Sequence, residues 1–241
     1  MKKQIPNIIT LFNLVSGCFA ILLAMQGHLK EAALMVLLAS VFDFFDGFAA
    51  RLLHVKSEIG KELDSLSDVI SFGLAPAVIV YQLYVSTGAF DRQIYDIAVF
   101  PACLSVLFPC FVALRLAKFN TDTRQTDIFY GLPSPAAAFV LISFVFFPQN
   151  EYSFLIYTLV IALLCVFMLL NTPLLSLKFK NFKIRDNIFR YILIFTAIIL
   201  AITLTFRSIP FIVLVYVGLS VVKIKIESRT KPTDADLRVV P

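Results

Sequence analysis

The chain is built from long apolar runs, broken at intervals by short clusters of charge, glycine and proline. Eight runs predict helices, at about 6–26, 30–52, 60–84, 96–118, 133–148, 152–170, 188–206 and 209–226. A helix that crosses a bilayer needs about 20 mostly apolar residues, and most of these runs reach that length. The fifth is short, and only residues 149–152 separate it from the sixth, which predicts a close helical hairpin. Pro6 suits the first turn of a helix, where no amide donor is missed. The first run is too long for a cleaved leader and lacks a small-residue cleavage site. The expected organisation is one transmembrane domain over residues 1–226 and a polar tail over 227–241, which carries Pro232 and Pro241.

Composition turns that pattern into a class. Of 241 residues, 59% are hydrophobic and 15% charged, and the mean hydropathy is +0.88. Soluble domains run near half apolar and a quarter charged, so this much apolar surface would leave the skin of a water-borne fold greasy. The fold class is an all-α polytopic membrane protein of about eight transmembrane helices. Disordered, collagen-like and disulfide-rich chains are excluded. Cys18, Cys103, Cys110 and Cys165 all fall in apolar stretches with no CxxC pair, so they read as small hydrophobes.

The net charge of +5 would suggest a nucleic-acid partner in a soluble protein, but here it belongs to the loops. With the N-terminus inside, 18 Lys and Arg fall on the inner side and 3, Lys30, Arg92 and Arg207, on the outer. Such a bias places both termini in the cytoplasm and favours an even number of spans. The stretch Lys178–Arg190 interleaves five basic residues with Phe179, Phe182 and Phe189, a pattern suited to an interface anchor or to anionic lipid.

Ionisable residues inside a span are expensive and therefore candidates for function. Asp43 and Asp46 stand near the inner end of the second segment, and Asp64 and Asp68 near the inner start of the third. Asp43 lies eight residues before Arg51 and Asp68 eight after Gly60, so both reach about 12 Å into their helices. Spacings of three and four put each pair on one helix face. Like charges so placed repel, and desolvation worsens the repulsion. Hard divalent ions with oxygen ligands, Mg²⁺ or Mn²⁺, relieve it, and two such ions could clamp an anionic substrate. A cation or proton pathway fits the same spacing, although transporter sites usually lie at the midplane. Gly47, Ala49, Ala50 and Gly60 would permit close helix packing or the approach of a bulky ligand. Arg51 suits either a snorkelling anchor or a phosphate partner.

The stretch reads Asp43-Phe-Phe-Asp46-Gly47-Phe-Ala-Ala50-Arg51, eight residues, then Gly60-Lys-Glu-Leu-Asp64-Ser-Leu-Ser-Asp68. It resembles the CDP-alcohol phosphotransferase signature D-x2-D-G-x2-A-R-x8-G-x3-D-x3-D at every fixed position, over 26 residues. Ser71-Phe-Gly-Leu-Ala-Pro-Ala77, Arg115-Leu-Ala-Lys-Phe-Asn120, Gly131-Leu-Pro-Ser-Pro-Ala-Ala-Ala138 and Pro6-Asn7-Ile-Ile-Thr10-Leu-Phe-Asn13 resemble the phosphatidylserine synthase branch of that family. Lys118 departs from it, since the branch more often has Arg there and Lys lacks the two-pronged grip. The last three helices carry no matching signature.

The resemblance implies a six-helix core with extra C-terminal helices, and a homodimer. It implies Asp43, Asp46 and Asp64 as ligands of one metal, Asp43, Asp64 and Asp68 as ligands of a second, and Asp68 as proton acceptor. It makes Gly47, Ala50, Arg51, Gly60, Asn7 and Thr10 the nucleotide and substrate contacts. Ser71, Arg115, Lys118, Asn120 and Ser134 become candidates for a phosphate or serine pocket. The implied reaction moves a phosphatidyl group from CDP-diacylglycerol to the hydroxyl of L-serine and releases CMP at the inner membrane face. The same chemistry on glycerol 3-phosphate or an inositol acceptor, and a cation transporter, stay open as alternatives. His28 and His54 fall in loops, no serine has nucleophile-elbow surroundings, and neither a P-loop nor a Rossmann fingerprint is present.

Overall fold

The computed structural model describes residues 4–55, 57–86, 95–121, 129–150, 152–170, 172–175 and 184–230. Lys2, Lys3, Lys56, Arg92, Arg124, Lys178, Phe179, Lys180, Phe182, Lys183, Lys231, Arg238 and the tail from residue 231 lie outside them. The chain divides into two compact units, Met1–Asp122 with Leu132–Leu170, and Thr123–Gly131 with Asn171–Pro241.

The first unit holds α1 (Gln4–Met25), α2 (Leu29–Leu52), α3 (Glu58–Asp68), α4 (Ala75–Ser86), α5 (Tyr95–Thr121), α6 (Ser134–Ser143) and α7 (Ser153–Leu169). A π-helical turn, Val69–Leu74, joins α3 to α4 without a break, so the six expected segments of this unit are all helical. Gln4–Met25, Leu29–Leu52, Glu58–Ser86 and Leu104–Thr121 are long and apolar enough to cross a membrane. The hairpin predicted for segments five and six is formed by α6, which ends in a 3-10 turn at Phe146, and α7.

In the second unit β1 (Phe129–Tyr130) pairs antiparallel with β2 (Pro173–Leu174). There α8 (Ile184–Leu204) leads through a 3-10 turn, Thr205–Ser208, into α9 (Ile209–Thr230). The apolar run Asn187–Ile226, which takes in most of α8 and α9, is also long enough to cross a membrane. The helix α9 continues to Thr230, past the point where the polar tail was expected to begin. Ser220 Oγ accepts from the Leu175 amide at 3.0 Å, and the Tyr216 hydroxyl donates to the Leu175 carbonyl, so β2 is tied to α9.

The core of the first unit is polar and small where α1 meets its neighbours, and apolar on the outside. Along α1 the buried positions include Thr10, Asn13, Gly17, Ala20 and Ala24, whereas Leu11, Val15, Phe19 and Leu22 face outward. A membrane favours this arrangement, because small residues let helices approach while lipid accepts the large apolar ones. The partner helix α2 answers with Ala32, Ala33, Val36 and Ala39. Gly27 (φ 81°) closes α1, and the His28 amide reaches back to the Leu23 carbonyl at 2.9 Å, the glycine-capped turn that reverses a helix tightly.

The π turn has a local cause. Pro76 has no amide to donate, and a proline ring crowds the carbonyl four residues before it. Widening the preceding turn relieves that crowding, and the Ala75 amide bonds the Ile70 carbonyl five residues back. Gly73 then lies against Pro109 of α5, where an added Cβ would stand 3.2 Å from the Pro109 Cα.

Candidate active site

The site is assembled on three helices that meet at one end of the first unit. The helix α2 carries Asp43 and Asp46 in its last turns, and α3 carries Asp64 and Asp68. The inner face of α1 lies against both. Thr10 donates its hydroxyl to Asp46 Oδ2 at 2.6 Å, and Asn13 Nδ2 donates to Asp68 Oδ1 at 3.3 Å. Two serines of the α3–π segment bond back to α1, Ser67 to the Thr10 carbonyl at 3.4 Å and Ser71 to the Asn13 carbonyl at 3.0 Å.

Of the four aspartates, three converge. Asp43, Asp64 and Asp68 each offer a carboxylate oxygen, and these oxygens lie within 4.8 Å of one another. This group coincides with one of the two ligand sets that the signature implies. Asp46 is not in the group; its carboxylate is held by Thr10, and it lines the adjoining cavity together with Asp64. Two unit charges about 4 Å apart repel by about 4 kcal/mol at an effective dielectric near 20. Three half-buried or buried carboxylates at such spacing therefore need countercharge. The donor set, all hard anionic oxygen, suits a divalent cation. Asp64 Oδ1 is buried with no hydrogen-bond partner, an orphaned acceptor of the kind a bound ion satisfies.

A cavity of about 600 Å³ opens beside the cluster. Asn7, Thr10, Gly47, Ala50 and Gly60, five of the six residues expected to contact nucleotide, line it. The sixth, Arg51, is exposed and folds back toward Gly47, where an added Cβ would stand 3.9 Å from its Nη1. At Gly60 an added Cβ would lie 2.8 Å from Asn7 Oδ1, so glycine keeps this wall open. Here α3 begins, capped by Ser57 Oγ, which accepts from the Gly60 amide at 3.2 Å. Ser57, Glu58 and Lys61 of that first turn also line the cavity.

The five candidates for a phosphate or serine pocket make separate contacts. Arg115 Nη1 donates to the buried Ser134 hydroxyl at 2.7 Å, and its guanidinium lies 5.7 Å from the Phe119 ring centre. Asn120 Nδ2 donates to Ser65 Oγ at 2.7 Å, while Lys61 Nζ donates to the Asn120 carbonyl at 3.0 Å, which ties the end of α5 to the first turns of α3. Lys118 Nζ reaches the Leu169 carbonyl at the end of α7. Ser71 is wholly buried under α1, with Gly17 directly above it. Sequence reasoning did not single out Asn13, Ser57, Lys61 or Ser67 for the site. Asn13 had two available signals, its place in the segment Pro6–Asn13 that resembles the family branch and its spacing of three from Thr10, which places both on one face of α1. His28 and His54 are exposed in the turns where they were expected. Cys18 and Cys110 lie on exposed faces and Cys165 is buried, all as free thiols.

Comparison with known proteins gives the family of the chain. The pattern of the CDP-alcohol phosphatidyltransferase family matches residues 3–175. A CDP-diacylglycerol–serine O-phosphatidyltransferase of Helicobacter pylori is 35% identical over 198 residues, 78% of this chain and 77% of that protein. One of the same name from Bacillus subtilis is 32% identical over 148 residues, covering 61% of this chain and 78% of its own. An archaetidylserine synthase of Methanothermobacter thermautotrophicus is 41% identical over 145 residues, covering 58% and 57%. The matched region takes in every helix from α1 to α7, and with it the converging aspartates and the cavity beside them, so the chain belongs to the CDP-alcohol phosphatidyltransferase family.

Proposed function

We propose that the protein transfers a phosphatidyl group from CDP-diacylglycerol to the hydroxyl of L-serine, giving phosphatidylserine and CMP. The observation that carries this reading is the convergence of Asp43, Asp64 and Asp68 beside the 600 Å³ cavity. The names of the three relatives each contain serine, as acceptor in two and within the product in the third, which supports serine over other alcohols.

In this reading the nucleotide occupies the cavity between α1, α2 and the start of α3. Gly47, Ala50 and Gly60 leave it room, and Asn7 and Arg51 hold its polar edge. Lipid tails lie in the bilayer alongside. Asp43, Asp64 and Asp68 would hold one divalent ion, with Asp46 helping to hold a second at the cavity wall. Mg²⁺ or Mn²⁺ bound there supplies positive charge against the diphosphate and the departing CMP. The serine oxygen forms a bond to the lipid-side phosphorus, and the bond from that phosphorus to the CMP oxygen breaks. Asp68 accepts the hydroxyl proton as this occurs. Arg115, fixed by Ser134 and Phe119, presents its charge toward phosphate or the serine carboxylate.

The proposed membrane orientation follows the inner-side excess of Lys and Arg, with both termini and the cavity mouth cytoplasmic. A cysteine placed at His54, with the four native cysteines replaced by serine, checks it. Impermeant thiol reagent should label it in inside-out vesicles and not in intact cells; labelling of intact cells contradicts the orientation.

The acceptor is tested by giving purified protein CDP-diacylglycerol, Mg²⁺ or Mn²⁺, and in turn L-serine, glycerol 3-phosphate or inositol phosphate. CMP release should depend on serine. Release with another acceptor and none with serine contradicts the assignment.

A further inference from the structure

Asn13 is fully enclosed, with 0% of its surface exposed. Its Nδ2 donates to Asp68 Oδ1 at 3.3 Å, while its Oδ1, also buried, meets no hydrogen-bond partner. Chemistry fixes which end of the amide faces the carboxylate: an ionised carboxylate only accepts, so the NH₂ group must turn toward it. A buried amide that satisfies only one end is costly to the fold, and an apolar side chain of like volume would avoid the cost.

The other polar ties from α1 to α3 and the π turn do not use this side chain. The Ser71 and Ser67 hydroxyls bond to backbone carbonyls of α1, those of Asn13 and Thr10, and would do so whatever side chain stood at position 13. Close approach is provided by Gly17, whose added Cβ would lie 2.4 Å from Ser71 Oγ. What remains for the Asn13 amide is its one bond, to a carboxylate of the converging group.

We infer that Asn13 is a positioning residue, which fixes the rotation of the Asp68 carboxylate within the acidic cluster. The inference rests on the proposed phosphatidyl transfer. A carboxylate on a single bond to its helix can turn about its side-chain torsions. A donor anchored on a different helix removes that freedom, as partners behind metal-binding or catalytic groups generally do.

The test uses the full chain purified in detergent, as Asn13→Leu and Asn13→Asp. Serine-dependent CMP release from CDP-diacylglycerol is resolved into kcat and KM, alongside Tm and Mn²⁺ binding by electron paramagnetic resonance. In both variants kcat should fall at least about tenfold. In Asn13→Leu the KM for CDP-diacylglycerol and the Mn²⁺ binding midpoint should move by less than about threefold, with Tm at or above that of the wild type. A kcat within about threefold of wild type in either variant overturns the inference. So does a loss of kcat in Asn13→Leu that comes with a large fall in Tm, or failure of both variants to fold, since the amide is then structural. Wild-type protein with no serine-dependent CMP release refutes the proposed transfer as well; wild-type turnover with unaffected variants refutes only the role of Asn13.

Discussion

Gly17 and Gly60 show how much of this site depends on atoms that are missing. An added Cβ at Gly17 would lie 2.4 Å from Ser71 Oγ and 2.8 Å from the Ser71 Cα, so backbone would have to move. Gly17→Ala should therefore cost about 1–3 kcal/mol, as overpacking does in a filled core, and should lower Tm in detergent; an unchanged Tm would show that α1 and the π turn are not packed this closely. At Gly60 the nearest atom to an added Cβ is the end of the Asn7 side chain, at 2.8 Å, which can swing away. The same methyl there would narrow the cavity more than it would disturb the fold. Spacing alone put each pair of aspartates on one helix face, through intervals of three and four residues, and of the four the structure brings Asp43, Asp64 and Asp68 together. Spacing does not report what faces that surface. The pairing of Thr10 with Asp46 and of Asn13 with Asp68 depends on the rotation of α1 about its axis, which no local pattern in the sequence sets.

Elements were legible to the extent that lipid dictates them. Apolar run length predicted the helical segments of both units within a few residues, since a helix in a bilayer must satisfy its backbone internally and needs a fixed length to cross. The start of α3 lies two residues before its expected position because Ser57 caps it, with Glu58 in the first turn. The π turn at Val69–Leu74 was not anticipated. Its cause, Pro76, was visible, but a proline within an apolar helix is compatible with a kink, a break or a widened turn, and the choice among them is made by packing against α5 at Gly73 and Pro109. The turn directly follows Asp68, so it sets the phase between the acidic half of the rod, α3, and its apolar half, α4. The two-residue strands β1 and β2 were also missed, being too short to carry an alternating pattern.

At the scale of the whole molecule, every residue assigned to the site belongs to the first unit, within the span that the family pattern matches. The second unit contributes none of them, which agrees with the lack of any signature in α8 and α9. Within the first unit α1 turns its small and polar residues inward and its large apolar ones outward, and the account depends on that interior holding cations between Asp43, Asp64 and Asp68. The most direct measurement strips the purified protein with EDTA and titrates Mn²⁺ back while following both bound metal and serine-dependent CMP release, in wild type and in Asp64→Asn. The account predicts no turnover after stripping, recovery that tracks Mn²⁺ occupancy, and, in Asp64→Asn, binding weakened at least about tenfold with turnover lost. Undiminished CMP release in EDTA, or Asp64→Asn binding Mn²⁺ and turning over like the wild type, would contradict it.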